Sequence, residues 1–146
     1  MQPSITILSS LLVGALLSIY LPMNSMVSRH LGSAITANIT FFFMALVTSI
    51  ALFFLWGDQA TLSRLKTVPP YLYLTGFVSA FIVLATTYLI PRMGVRHFFI
   101  LTISGQILTA LVVSHFGLLQ TPTDPVSAKK LLGAVLVVLG ALFSTL

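Results

Sequence analysis

The chain has 146 residues, 58% hydrophobic and 6% charged, with seven lysines and arginines, two acids and a formal net charge of +5. A soluble domain carries about 25% charged residues, so a water-exposed globular surface is excluded and the solvent for most of this chain is hydrocarbon. The lack of cysteine excludes disulfides and thiolate metal sites; the basic residues sit singly or in pairs at the ends of apolar runs, a membrane-surface pattern rather than a stripe that tracks nucleic acid.

A helix that crosses a bilayer needs about 20 mostly apolar residues, within a range of about 17–25. Five segments meet or approach that length. The first covers 5–23. MQPS before it lacks the positive charge of a signal peptide's opening region, so the segment is expected to remain as a membrane helix. NSMVSRHLGS, 24–33, is only modestly polar and makes the weakest boundary, partly helix or a re-entrant bend. The second span covers 33–56, and the polar GDQATLSRLKTVPP closes it with two prolines. The third covers 71–90, and Pro91 and Gly94 punctuate the turn that follows. The fourth covers 97–119, followed by QTPTDPVSAKK. The fifth, 131–146, is short, but Lys129 and Lys130 can snorkel and extend its reach. Continuous runs of this length do not fit the ten-residue alternation of barrel strands. The expected architecture is an all-α, polytopic membrane protein of one domain, residues 1–146, embedded in the lipid bilayer.

Five spans place the two ends of the chain on opposite faces. Arg64, Lys66, Lys129 and Lys130 then fall on one side, and Arg29, Arg92 and Arg96 on the other. Orientation follows the excess of lysine and arginine in cytoplasmic loops, and here there is almost none. Two readings stand level on that count: a single orientation fixed by the first helix, or insertion both ways, with an antiparallel homodimer supplying the two inverted halves that many transporters fuse.

Within the fifth span Gly133 and Gly140 are seven apart, as are Ala134 and Ala141. Seven residues make about two turns, so these small residues form one strip suited to close helix packing, within the chain or at a dimer seam. Gly14 and Ser18 form a weaker strip.

No aspartate or glutamate lies inside a span; Asp58 and Asp124 are both in connections. Intramembrane carboxylates are the usual proton carriers and cation partners, so a carboxylate-based antiporter is disfavoured. The three histidines sit on different segments without ligand spacing, so no metal is expected. No nucleophile–base pair points to an enzyme, and no cofactor is implied. What remains is neutral: Asn24, Ser25, Asn38, Thr86, Thr87, Tyr88, Ser104, Gln106 and His115. Such groups must find partners or face water. Gln106, near mid-depth, either bonds another helix or reads a solute in a central cavity. His115 sits near the end of its span, at headgroup level or a cavity mouth. Asn24, after Pro22, either caps the following helix or contacts solute; Asn38 bonds a neighbouring helix or lines the path. Trp56, Tyr71 and Tyr73 are expected as belt anchors. Phe41, Phe42 and Phe43 face lipid or protein, although one could stack on a ligand.

LPMN at 21–24, GSA at 32–34, PRMG at 91–94, GQ at 105–106, HFG at 115–117 and the closing LLGAVLVVLGALF, in that order and spacing, resemble the half-size YdcZ-like branch of the drug/metabolite transporter superfamily. The resemblance covers essentially the whole chain. It implies a multi-pass bacterial inner-membrane protein that pairs two five-helix units as inverted repeats, ten helices in all, and exports small metabolites or drugs. One departure is Ser114, where the branch often carries an aspartate before the histidine. The related four-span exporters use a glutamate in their first helix; this one has none.

These readings converge on a small transporter that exports a small organic solute by alternating access as an antiparallel homodimer. Asn24, Asn38, Tyr88, Gln106 and His115 are the expected substrate-binding residues. The rival readings are a small passive channel and a non-transporting partner of another membrane protein.

Overall fold

The computed structural model describes residues 3–145 and contains five α-helices: α1, Pro3–Leu31; α2, Ala34–Trp56; α3, Leu74–Met93; α4, Val95–Phe116; and α5, Ala128–Thr145. No strand occurs among the described residues. Large apolar side chains face outward, with Phe54 at 75%, Phe81 at 72% and Phe143 at 79% exposure. In water such a surface would aggregate; in lipid it is the ordinary outside of a helix. Helices α1 to α4 are each long and apolar enough to cross a bilayer. The chain is an all-α polytopic membrane protein. It divides into two compact units, one up to Arg92 and one from Met93.

In the first unit, α1 does not stop near residue 23 but continues through Pro22 to Leu31. Pro22 lacks the N–H that would reach the Ser18 carbonyl, yet it does not end the helix; buried membrane helices tolerate such a gap. The true stop is Gly32, at φ +68°. There the Ser33 amide donates to the Ser28 carbonyl at 3.2 Å, the closing bond of a Schellman turn with glycine in the left-handed position. Ser33 then caps α2 at once, its hydroxyl accepting from the Thr36 amide at 3.2 Å. The segment 24–33 is thus helix almost to its end, and two residues make the turn. Helices α1 and α2 pack directly on each other, and Ala37, fully buried, marks the crowding at the start of α2.

Between α2 and α3, Asp58 caps a 3₁₀ stretch, Gln59–Thr67, by accepting from the Ala60 amide at 2.9 Å. The Tyr73 hydroxyl donates back to the Leu65 carbonyl at 2.7 Å. Trp56, Tyr71 and Tyr73 are exposed at this end, as belt residues should be. A second 3₁₀ turn, Pro70–Tyr73, delays α3 to Leu74. The buried face of α3 is Val83, Thr86, Thr87 and Ile90, a spacing of three and four that makes one stripe of a helix.

In the second unit, α4 begins after Gly94, at φ +83°, and ends at Gly117, at φ +60°. It does not reach residue 119: Leu119 and Gln120 take positive φ in a short turn. The following loop folds back on the end of α4. The Asp124 amide donates to the Ser114 carbonyl at 2.8 Å, and the Val126 amide donates to His115 Nδ1 at 3.1 Å. A Cβ at Gly117 would meet the Thr123 methyl at 2.5 Å, so the site needs glycine twice over. Helix α5 starts three residues earlier than expected, because Ser127 accepts from the Lys130 amide. Lys130 pairs with Asp124, which offsets a cation at a helix start. Helices α4 and α5 pack together. Arg96 donates to the Ser144 carbonyl at 3.1 Å and satisfies an orphan acceptor at the end of α5. At 18 residues α5 is the shortest of the five. The expected end of its span, Leu146, lies outside the described residues.

Candidate functional site

Hydroxyls inside the helices spend their protons on their own backbone. Ser10, Ser18, Thr48, Ser49, Ser104 and Thr109 each donate to the carbonyl four residues earlier. This is how a helix in lipid satisfies a hydroxyl without a partner helix. Asparagine cannot do so as easily, and the two asparagines of the first unit bridge helices instead.

Asn24 is 6% exposed. Its Nδ2 donates to Thr87 Oγ1 at 2.8 Å, across from α1 to α3. The Thr87 hydroxyl itself donates to the Val83 carbonyl at 2.8 Å. A carbonyl only accepts, so the hydroxyl proton is committed and Asn24 must be the donor. The amide is thereby oriented: nitrogen toward α3, Oδ1 away from it. Asn24 therefore caps nothing; that reading is corrected because α1 continues past it. Asn38 obeys the same logic. Its Nδ2 donates to the Ala80 carbonyl at 3.2 Å, and its Oδ1 is buried without a donor. Ser25 and Thr86 are buried beside this seam, each turned to a carbonyl of its own helix.

Asn24 also lines a groove of about 760 Å³ between α1 and α2. Tyr20 and Phe41 stack across it with centroids 5.8 Å apart and planes 17° from parallel. Thr40, Thr48 and Ser49 line it from α2, and Met23, Val27 and Met44 provide apolar walls. A second hollow, of about 680 Å³, lies where the start of α2 meets α3, lined by Ser33, Ile35, Phe81, Leu84 and Tyr88. The Arg92 guanidinium lies 3.2 Å over the Tyr88 ring centroid and donates to the Tyr88 carbonyl at 2.7 Å, so one face of this ring is taken.

The second unit is plainer. Gln106 is exposed on α4, and its side chain makes no hydrogen bond among the described residues. His115 is exposed too; its Nδ1 accepts from the Val126 amide, and its ring meets Phe116 edge-on at 4.7 Å. The strip on α5 divides. Ala134 and Ala141 are buried, whereas Gly133 and Gly140 face open space. A shallow hollow of about 250 Å³ lies between Ser104 on α4 and Gly140 and Ala141 on α5. Among the described residues no group of three or more His, Cys, Asp or Glu could hold a metal ion.

Of the residues expected to meet solute, Asn24 and Asn38 therefore share the polar seam of the first unit, and Tyr88 borders its second hollow. Gln106 and His115 belong to the second unit. The groove residues Tyr20, Thr40, Thr48 and Ser49 were not singled out from the sequence.

Long apolar helices, a neutral polar seam and hollows without acids suit a membrane carrier. The chain matches the YdcZ family, described as an inner membrane exporter, over residues 5–143. It belongs to that family. No curated protein and no solved structure matches it. Membership makes this YdcZ-family chain an exporter of the inner membrane, in a transporter family rather than an enzyme family. The match runs through α1 to α5, so both the seam and the exposed face of α4 lie within it.

Proposed function

We propose that this exporter is one half of a ten-helix carrier: two copies, inserted in opposite directions, move a small organic solute by alternating access. All five helices, α5 included, then cross the bilayer. The observation that carries the reading is Gln106. Its amide, with two donors and an acceptor, stands exposed on a lipid-crossing helix with no partner in its own unit. Leaving such a group in hydrocarbon costs about 2–7 kcal/mol, so it needs a second chain or a wet cavity. Gly133 and Gly140, open on α5, offer a surface where another helix can come close. The even split of lysine and arginine adds that neither orientation is strongly preferred.

In this arrangement Asn24, Asn38, Tyr88, Gln106 and His115 lie along the solute path. The test is a reporter fused after Leu146, read together with cysteine crosslinking from Gln106→Cys. Dual insertion gives a mixed reporter signal and crosslinked dimers only between oppositely inserted copies. A single-sided signal with parallel dimers would overturn the antiparallel reading.

A further inference from the structure

The groove between α1 and α2 is one-sided in its hydrogen bonding. Every hydroxyl that Thr40, Thr48 and Ser49 bring to it is already donating: Thr40 to the Ala37 carbonyl at 2.9 Å, Thr48 to Met44 at 2.8 Å and Ser49 to Ala45 at 2.8 Å. A hydroxyl whose proton is spent keeps only lone pairs to offer. Asn24 is turned the same way. Thr87 claims its nitrogen, and Oδ1 is left without a donor among the described residues. The groove thus presents mainly acceptors, from a side chain more than nine-tenths buried and from three hydroxyls, with the Tyr20 hydroxyl as the one side-chain O–H not spent on a carbonyl among the described residues. No arginine, lysine or histidine lines it. Across it stand the rings of Tyr20 and Phe41, which stack on each other and leave their outer electron-rich faces to attract positive charge.

We propose that this groove binds a primary amine with an apolar body. The N–H groups meet Asn24 Oδ1 and the lone pairs of Thr40, Thr48 and Ser49, and the carbon skeleton lies between the aromatic rings and the thioethers of α1 and α2. A carboxylate or phosphate finds a single donor there, the Tyr20 hydroxyl, against four acceptors, and is disfavoured. A quaternary ammonium keeps the charge but has no N–H to donate, so it gains the aromatic attraction and loses the hydrogen bonds. This names the substrate class for the exporter reading above and rests on it only for the step of transport.

The test uses the purified full chain in lipid nanodiscs and three probes with one skeleton: 2-phenylethylamine, its N,N,N-trimethyl derivative and 3-phenylpropanoate. Binding is measured by calorimetry. The amine is expected to bind about tenfold or more tighter than either other probe, the size of one good hydrogen bond to a charged group. The double variant Thr48→Val with Ser49→Ala, on an exposed face that bridges no helices, should weaken amine binding by about tenfold or more. Equal or tighter binding of the carboxylate overturns the proposal, and so does amine binding indifferent to the double variant. If a lipid tail or a second copy of the chain fills the groove, no probe binds and the proposal falls. Flux into proteoliposomes separates the two ideas. Amine binding without flux of any probe removes the transport reading and leaves the groove; carboxylate flux without amine binding does the reverse.

Discussion

Replacing Ala37 with leucine should destabilise the first unit by about 1–3 kcal/mol, the usual cost of forcing extra methylenes into a filled space. Ala37 is 0% exposed. It lies one turn after the Ser33 cap and next to Asn38, whose side chain reaches Ala80 on α3. A larger side chain there must push α2 away from its neighbours and strain both contacts at once. The same exchange at Ala51, an exposed alanine further along α2, adds the same carbons to the lipid-facing side and should change little. Unfolding in mixed micelles by increasing SDS compares the two. Equal stability of Ala37→Leu and Ala51→Leu would mean that the start of α2 is not packed as described.

Thr87→Val should cost about 1 kcal/mol. Valine keeps the shape and removes only the oxygen that accepts from Asn24. Hydrogen bonds between membrane helices average about 0.6 kcal/mol and reach about 1.7, while an orphaned buried donor costs about 1–3. Asn24 is buried, so the upper part of the first range applies. Asn24→Leu removes the other partner. In the double variant no donor is left stranded, so the combined loss should be smaller than the sum of the two single losses. Strict additivity would show that the two side chains do not act on each other. The pair has weight beyond its energy because Pro91 denies the Thr87 carbonyl its usual helical partner, just as Pro22 denies Ser18. The bond ties α1 to α3 close to where each helix is weakest.

The all-α class was legible because apolar runs of this length leave few alternatives. The cleft between α1 and α2 was not, and the reasons are local. Two residues, Gly32 and Ser33, both stop α1 and start α2, so of the two readings of 24–33, partly helix or a re-entrant bend, the helix holds. Hydropathy sees the modest polarity of Asn24 and Ser25 and misses that hydrogen bonds of buried side chains absorb it. Asn24 and Asn38 could be picked out because asparagine is scarce in these spans. Their orientation could not, since it depends on the proton of a threonine 63 residues away in sequence. Tyr20 and Asn24 are one turn apart on α1, and Phe41, Ala45 and Thr48 recur at four and three on α2. That spacing could have marked the groove face, but threonine and serine at helical spacing are too common to stand out.

All the acid in this chain is kept in its connections, at Asp58 and Asp124. A solute that crosses with a positive charge meets no fixed carboxylate within the helices, and where no other ion moves to balance it, its passage is electrical current. Against an inside-negative potential of about 100 mV, outward passage of one such charge is uphill by about 2.3 kcal/mol, equivalent to an opposing gradient of about fiftyfold. The uncharged free base of the same amine escapes that penalty and still offers N–H groups to lone pairs. If the exported solute is the amine proposed above, voltage has no grip on the exit of its free base, and the alkalinity of the compartment it leaves sets the pace.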